Sequence, residues 1–225
     1  MHESTVLITG CDTGIGREFA IQYADLGWRV VATFRDLANR LPQEKGLQCH
    51  PLDMTKPAQF AALKKTLGNQ PIDVLLSNAG IGLDMRKLGD LDHDFVRQMF
   101  EVNTMGPLRL VEAFVDNVAA GRQRRIAAIT SRMGSIALNV SGGHYGYRAS
   151  KAGLNAILHS LAIDLFPRGI TVVALHPGWV DTAGGGDDAA VPVSESVVSM
   201  RGIIARLGNH ETGQVFDYRG MPLAW

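Results

Sequence analysis

The segment that most restricts how this chain can fold is its first sixteen residues. A short β-branched run, Thr5-Val-Leu-Ile-Thr9, leads without a linker into Gly10-Cys-Asp-Thr-Gly14-Ile-Gly16, and an amphipathic helical pattern begins there. Glycines at such a turn let the backbone bend sharply and approach a ligand. The free N–H groups and dipole of the following helix then favour negative charge. In a chain this rich in glycine, three glycines at fixed spacing arise by chance roughly 0.3 times, so the flanking strand and helix carry the weight. Together they predict a pyrophosphate cradle at the first βα turn. The three residues between the first two glycines depart from the commoner dinucleotide fingerprint, which has one.

The rest of the chain repeats strand and helix in alternation. Thr5–Thr9, 29–34, 47–52, 73–77, 125–131, 170–175 and 214–216 are predicted strands, and 14–26, 56–67, 92–120, 146–166 and 193–207 predicted helices. Runs such as Val74-Leu-Leu and Ile126-Ala-Ala-Ile are apolar at consecutive positions, as strands buried on both faces must be. The expected architecture is α/β: a doubly wound Rossmann fold, its seven-stranded parallel sheet flanked by helices on both faces. Pro57 at a helix start, and Gly68 and Gly169 beyond helix ends, agree with it. With no long linker or repeat, residues 1–225 are expected to form one domain. The irregular stretch 181–192, with Gly184-Gly-Gly186, is expected to be a mobile loop over the substrate, an ordinary surface loop being the alternative.

Composition removes other classes. Lys plus Arg and Asp plus Glu both number 22, so no net field draws the chain to nucleic acid or an anionic membrane. The 2 cysteines, Cys11 and Cys49, make no disulfide framework, and no metal-ligand spacing is present. The start, Met1-His-Glu-Ser-Thr5, has neither the basic residues nor the apolar stretch of a signal peptide, and no apolar run approaches bilayer length. A cytoplasmic protein acting on a small molecule, without metal, nucleic acid or membrane, is expected.

The loop Thr9-Gly-x-x-x-Gly-Ile-Gly16 resembles the nucleotide loop of the short-chain dehydrogenases/reductases, and further segments follow the same pattern. Ser77-Asn-Ala-Gly80 is similar to the family's Asn-Asn-Ala-Gly, with Ser77 in place of the first Asn. Val102-Asn103, Ser131, Tyr147-x-x-x-Lys151 and Pro177-Gly178 complete it, so that the resemblance covers nearly all of residues 5–217. The segment Ser131-Arg-Met-Gly-Ser-Ile136 and the ending Met221-Pro-Leu-Ala-Trp225 look most like the small carbonyl reductases of C-factor and sniffer type.

Tyr147 and Lys151, four apart on a predicted helix, share a face. A phenol with an ordinary pKa near 10 is a poor acid or base at neutral pH, and a neighbouring ammonium favours its ionised form. In carbonyl reduction Tyr147 would donate the proton and Ser131 would hydrogen-bond the same oxygen. The resemblance implies that Lys151 also holds the nicotinamide ribose and that Asn103 positions a water feeding a relay to Lys151. Ser131 stands sixteen residues before Tyr147, Ser135 twelve, and the family more often shows about a dozen. Ser131 is preferred because it ends a strand at the carboxyl edge; Ser135 remains the alternative.

Cofactor contacts are expected from Gly10, Asp12, Gly14, Ile15 and Gly16 in the loop, and from Arg35 after the second strand. The resemblance adds Asp53 and Met54 after the third strand, Asn78, Ala79 and Gly80 after the fourth, and Pro177, Gly178, Val180 and Thr182 after the sixth. Asp53 has a plainer reading as a helix cap. Phe34 occupies the place where an acid would mark NAD, and Arg35 follows, able to pair with a 2′-phosphate. NADP(H) is therefore expected over NAD(H), although Thr13 is not basic and Asp36 could take the acidic role. His144, Tyr145, Trp179 and Met133 flank the catalytic segments and are candidate pocket walls or packing residues. The expected activity is an oxidoreductase moving a hydride between NADP(H) and a fairly apolar carbonyl or alcohol. A nucleotide-binding signalling protein of C-factor type is the alternative, and the resemblance implies a homodimer or homotetramer.

Overall fold

The computed structural model describes residues 4–42, 46–82, 86–181 and 190–225. Seven strands, β1 (Thr5–Ile8), β2 (Arg29–Phe34), β3 (Leu47–Pro51), β4 (Val74–Ser77), β5 (Arg125–Ile129), β6 (Thr171–His176) and β7 (Gln214–Asp217), form one sheet in the order β3-β2-β1-β4-β5-β6-β7. Every neighbouring pair is parallel. The sequence expectation of a doubly wound parallel sheet holds, with strand ends shifted by a residue or two.

Alternate strand side chains feed two cores. On one face Leu7, Val31, Leu75, Ile126 and Val172 pack under α2 (Pro57–Leu67), α4 (Gly106–Ala120) and α5 (Tyr145–Leu165). On the other, Val6, Val30, Val74, Ala127 and Val173 pack under α1 (Gly14–Asp25) and α6 (Val193–Arg206). Burial on both faces is why these strands are apolar at consecutive positions. The strand order reverses between β1 and β4, which opens the crevice at their carboxyl ends where such sheets bind ligands.

One predicted element breaks into pieces. The helix expected over 92–120 is α3 (His93–Phe100), a π-turn (Glu101–Met105) and α4. Its cause was visible in Gly106-Pro107, since proline has no N–H to give the carbonyl four residues back. That carbonyl belongs to Asn103. The N–H of Gly106 meanwhile reaches back five residues to Glu101. The extra residue in the turn is therefore what the backbone accounting around Pro107 permits.

At the opposite, amino edge of the sheet, the buried carboxylate of Asp73 accepts N–H bonds from Thr5 at 2.8 Å, Arg122 at 2.9 Å and Gln123 at 3.3 Å. It ties the start of β1 to the turn between α4 and β5. Asp73→Ala would leave these donors without their acceptor and should lower unfolding free energy by about 2–4 kcal/mol in urea denaturation. A loss under about 0.5 kcal/mol would contradict this role.

Candidate active site

The crevice is built on Thr9 and Asn78. The Thr9 hydroxyl accepts the N–H groups of Asn78 and Ala79, each at 3.1 Å, and the Asn78 amide donates to the carbonyls of Thr9 and Gly10, each at 3.0 Å. This net joins the ends of β1 and β4 and leaves no room for side chains. A Cβ at Gly16 would stand 2.2 Å from the Gly10 carbonyl oxygen, and Gly10 itself has φ +73° with Ala79 2.7 Å from where its Cβ would be. The cradle is thus preformed, with Gly14, Ile15 and Gly16 opening α1 toward it. Thr9, which the sequence reading placed at the strand end that opens the loop without giving it a contact, is its central hydroxyl.

Asp12 turns toward the end of β2. Its two carboxylate oxygens accept from the N–H groups of Arg35 and Asp36, both at 3.0 Å. Asp36 in turn caps a 3-10 turn by accepting from Ala38 at 2.9 Å. Phe34 is wholly buried, so the strand's last side chain belongs to the core, and the exposed Arg35 comes next. Asp53 accepts from both the N–H and the hydroxyl of Thr55, a local turn just before α2. Met54 is buried, and a Cβ at Gly106 would lie 2.8 Å from its side chain.

The proton-transfer candidates meet at the ends of β5 and α5. Three successive left-handed residues, Gly142, Gly143 and His144, turn the chain into α5, which carries Tyr147 and Lys151 on one face. The Lys151 ammonium lies 5.9 Å from the Tyr147 ring centre and donates to the Ile129 carbonyl at 2.9 Å. Burial lowers its pKa to about 8. Burial pushes the Tyr147 phenol up, and a hydrogen bond with the Ser131 side chain opposes that rise. The Ser131 oxygen accepts from the Met133 N–H at 3.1 Å, which leaves its own proton to donate.

Ser135 is used elsewhere: its hydroxyl donates to the Trp225 carbonyl at 2.9 Å and accepts from Leu138 at 3.2 Å. Asn103 sits in the π-turn, 1% exposed, with its amide committed to both backbone groups of Ile81 and to the Ser150 hydroxyl. Pro107, four residues on, has no N–H to donate to the Asn103 backbone carbonyl. Ser150, Thr104 and Arg148 were missed by the sequence reading. Arg148 clips the loop before α5, donating to Ser141 Oγ at 2.9 Å and the Gly142 carbonyl at 3.3 Å.

Pro177 and Gly178 follow β6; the Pro177 carbonyl accepts from Ser196 Oγ at 2.6 Å, fixing α6 to this edge. Val180 pairs with Val191 across the base of the 181–192 loop. Thr182, and most of the loop expected to be mobile, lie outside the described residues. Met133 and Tyr145 line a cavity of about 440 Å³ on the side of α5 away from Lys151, and Trp179 is 59% exposed.

The switch-point crevice and its glycine cradle define a dinucleotide-binding Rossmann protein. The family model for short chain dehydrogenase matches residues 4–190, and the chain belongs to that family. It is 44% identical over 155 residues, 69% of this chain and 93% of the relative, to the C-signal protein of Myxococcus xanthus. Among solved structures, the carbonyl reductase Sniffer of D. melanogaster superposes with a TM-score of 0.89 at 29% identity, covering 100% of both chains. A carbonyl reductase from Pseudomonas aeruginosa in complex with NADP superposes with a TM-score of 0.86 at 30% identity, again over 100% of both.

Lys151 makes stability depend on pH. The folded chain releases its proton near pH 8, whereas the ordinary value is 10.5. Between those limits the unfolded state binds more protons, so rising pH favours folding; below pH 8 the full cost of the buried charge remains. Lys151→Met removes this dependence. Its stability advantage over wild type, largest below pH 8, should shrink by about 1–3 kcal/mol on going to pH 10.5. A gap that stays constant in denaturant titrations across that range would refute the buried, depressed ammonium.

Proposed function

We propose that this chain is an NADP(H)-dependent carbonyl reductase or alcohol dehydrogenase acting on a small, fairly apolar carbonyl or alcohol. The observation that carries this reading is the Tyr147 phenol, hydrogen-bonded to Ser131 and beside the buried Lys151 ammonium. The bound nicotinamide would supply or accept the hydride. Tyr147 gives its proton to the carbonyl oxygen as negative charge develops there, and Ser131 donates a second hydrogen bond to the same oxygen. Lys151 favours the phenolate that remains and holds ribose hydroxyls. Asn103 positions a water through which Lys151 and Tyr147 regain a proton. Oxidation runs through the same groups in reverse.

Gly10, Gly14, Ile15 and Gly16 receive the pyrophosphate, Asp53 and Met54 border the adenine, and Asn78, Ala79 and Gly80 border the riboses. Pro177, Gly178, Val180 and Thr182 hold the nicotinamide. Asp12 contributes by fixing the backbone at Arg35, whose exposed guanidinium takes the 2′-phosphate. The NADP found with the Pseudomonas reductase supports the same choice. We read the chain as one domain working in the cytoplasm as a homodimer or homotetramer; no helix among the described residues is long and apolar enough to cross a membrane. The likeness to C-signal keeps a second reading, nucleotide-dependent signalling, which consumption of NADPH with a panel of ketones, aldehydes and quinones would separate from catalysis.

Tyr147→Phe should retain cofactor binding while turnover falls roughly 10²-fold or more, because only the proton donor is lost. Wild-type turnover in this variant would remove Tyr147 from the chemistry. For the cofactor, Arg35→Ala should weaken NADPH binding about 10- to 150-fold, a charge-assisted contact of roughly 1.5–3 kcal/mol, with NADH scarcely affected. Calorimetric Kd values for both cofactors measure this, and an unchanged ratio would reject Arg35 as the phosphate partner.

A further inference from the structure

Ser150 stands between the two residues of the proton-transfer pair in sequence and is wholly buried. Its hydroxyl donates to the Tyr147 carbonyl at 2.9 Å and accepts from the Asn103 amide at 3.1 Å. Its own carbonyl accepts the Thr104 hydroxyl at 2.8 Å. The rest of the Asn103 amide grips Ile81, accepting its N–H at 2.8 Å and donating to its carbonyl at 3.1 Å. The hydroxyl therefore joins the first turns of α5 to the π-turn, and the Asn103 amide extends the link to the loop after β4.

We infer that Ser150 is a positioning residue that fixes the spacing of the Tyr147 phenol and the Lys151 ammonium by latching α5 to the π-turn. This rests on reading Tyr147 and Lys151 as the acid–base pair. In an α-helix the Tyr147 carbonyl is also the acceptor of the Lys151 N–H, so Ser150 holds the one peptide group that both residues share. Without the hydroxyl, an Asn103 amide proton is left buried with no acceptor, and the Thr104 hydroxyl on the Ser150 carbonyl is left to hold this turn of α5 to the π-turn. Loss of any buried hydrogen bond lowers stability. A latch has a further, electrostatic consequence, because the proton affinity of the phenol depends on its distance from the ammonium.

The test compares Ser150→Ala, Ser150→Thr and, as a matched destabilised control from the far edge of the sheet, Asp73→Ala. Alanine removes one atom and adds none, so overpacking does not arise. The Tyr147 phenol is titrated in each NADP⁺ complex by ultraviolet difference absorption of tyrosinate, with Tyr147→Phe as the blank. Turnover is followed with phenanthrenequinone and NADPH. In Ser150→Ala the phenol titration should move up by about half a pH unit or more. The turnover rate should fall about 10-fold or more, with KM for NADPH within about twofold. Ser150→Thr, which keeps a hydroxyl, should restore both, and Asp73→Ala should change neither. A phenol titration unmoved in Ser150→Ala, or an equal shift in Asp73→Ala, overturns the latch. The titration needs no turnover, so a wild-type rate in Tyr147→Phe would overturn the acid–base reading separately.

Discussion

The burial of one ammonium organises the catalytic edge of this molecule. Lys151 is 5% exposed at the carboxyl end of β5, where an uncompensated charge would cost several kcal/mol. The Ile129 carbonyl meets the charge at 2.9 Å, and the backbone around it is kept close and bare. A Cβ at Gly134 would come 2.9 Å from the Lys151 Cβ, and one at Gly80 would stand 3.3 Å from the Asn103 amide oxygen and 3.6 Å from the ammonium. Two loops from different strands thus approach the lysine only because they lack side chains. The same burial that penalises the ammonium raises the phenol beside it. The pair is held in a low-dielectric site that disfavours the charged form of each group.

A second constraint follows from backbone hydrogen bonds. Pro107 has no N–H to offer the carbonyl four residues back, and in the irregular turn beside it the Asn103 amide lies on Ile81 and Ser150. The middle of the π-turn, residues 102–104, is buried, so its polar side chains need partners, and the Ile81 backbone after β4 and the Ser150 hydroxyl and carbonyl of α5 supply them. The kink and the latch are therefore one feature: a regular helix would satisfy the Asn103 carbonyl internally and leave its amide elsewhere.

The parts legible in the sequence are those governed by local rules. Consecutive apolar residues gave away the buried parallel strands, and Thr9-Gly-x-x-x-Gly-Ile-Gly16 gave away the first turn, because chain geometry there admits little but glycine. Tyr147 and Lys151 were legible by spacing alone. The broken helix was legible in principle, since Gly106-Pro107 lies inside the run taken as continuous; apolar periodicity on either side masked it. Ser150, Thr104 and Thr9 were not legible as site residues, because a hydroxyl on a predicted helix or strand has no sequence mark that tells which distant amide it will meet. The choice between Ser131 and Ser135 also required coordinates. Spacing to Tyr147 favoured Ser135, but Trp225, ninety residues further along, takes that hydroxyl.

The cofactor end shows how a charged residue can act through the backbone. Asp12 lies in the glycine loop, yet its carboxylate spans to β2 and accepts the N–H groups of Arg35 and Asp36. Those two donors, at the end of a strand, are the ones an anion arriving there would otherwise take. With them engaged, and with Asp36 drawn into capping Ala38, the main chain at this corner offers little to a phosphate. Arg35 at this corner is exposed, and Asp12 fixes its backbone. A strand-end acid accepting from a ribose hydroxyl would have needed Phe34's position, but that side chain is locked in the core between the sheet and α1. Packing on one face of β2 thus takes Phe34 out of reach of a ligand and leaves Arg35 as the exposed residue at the strand's end.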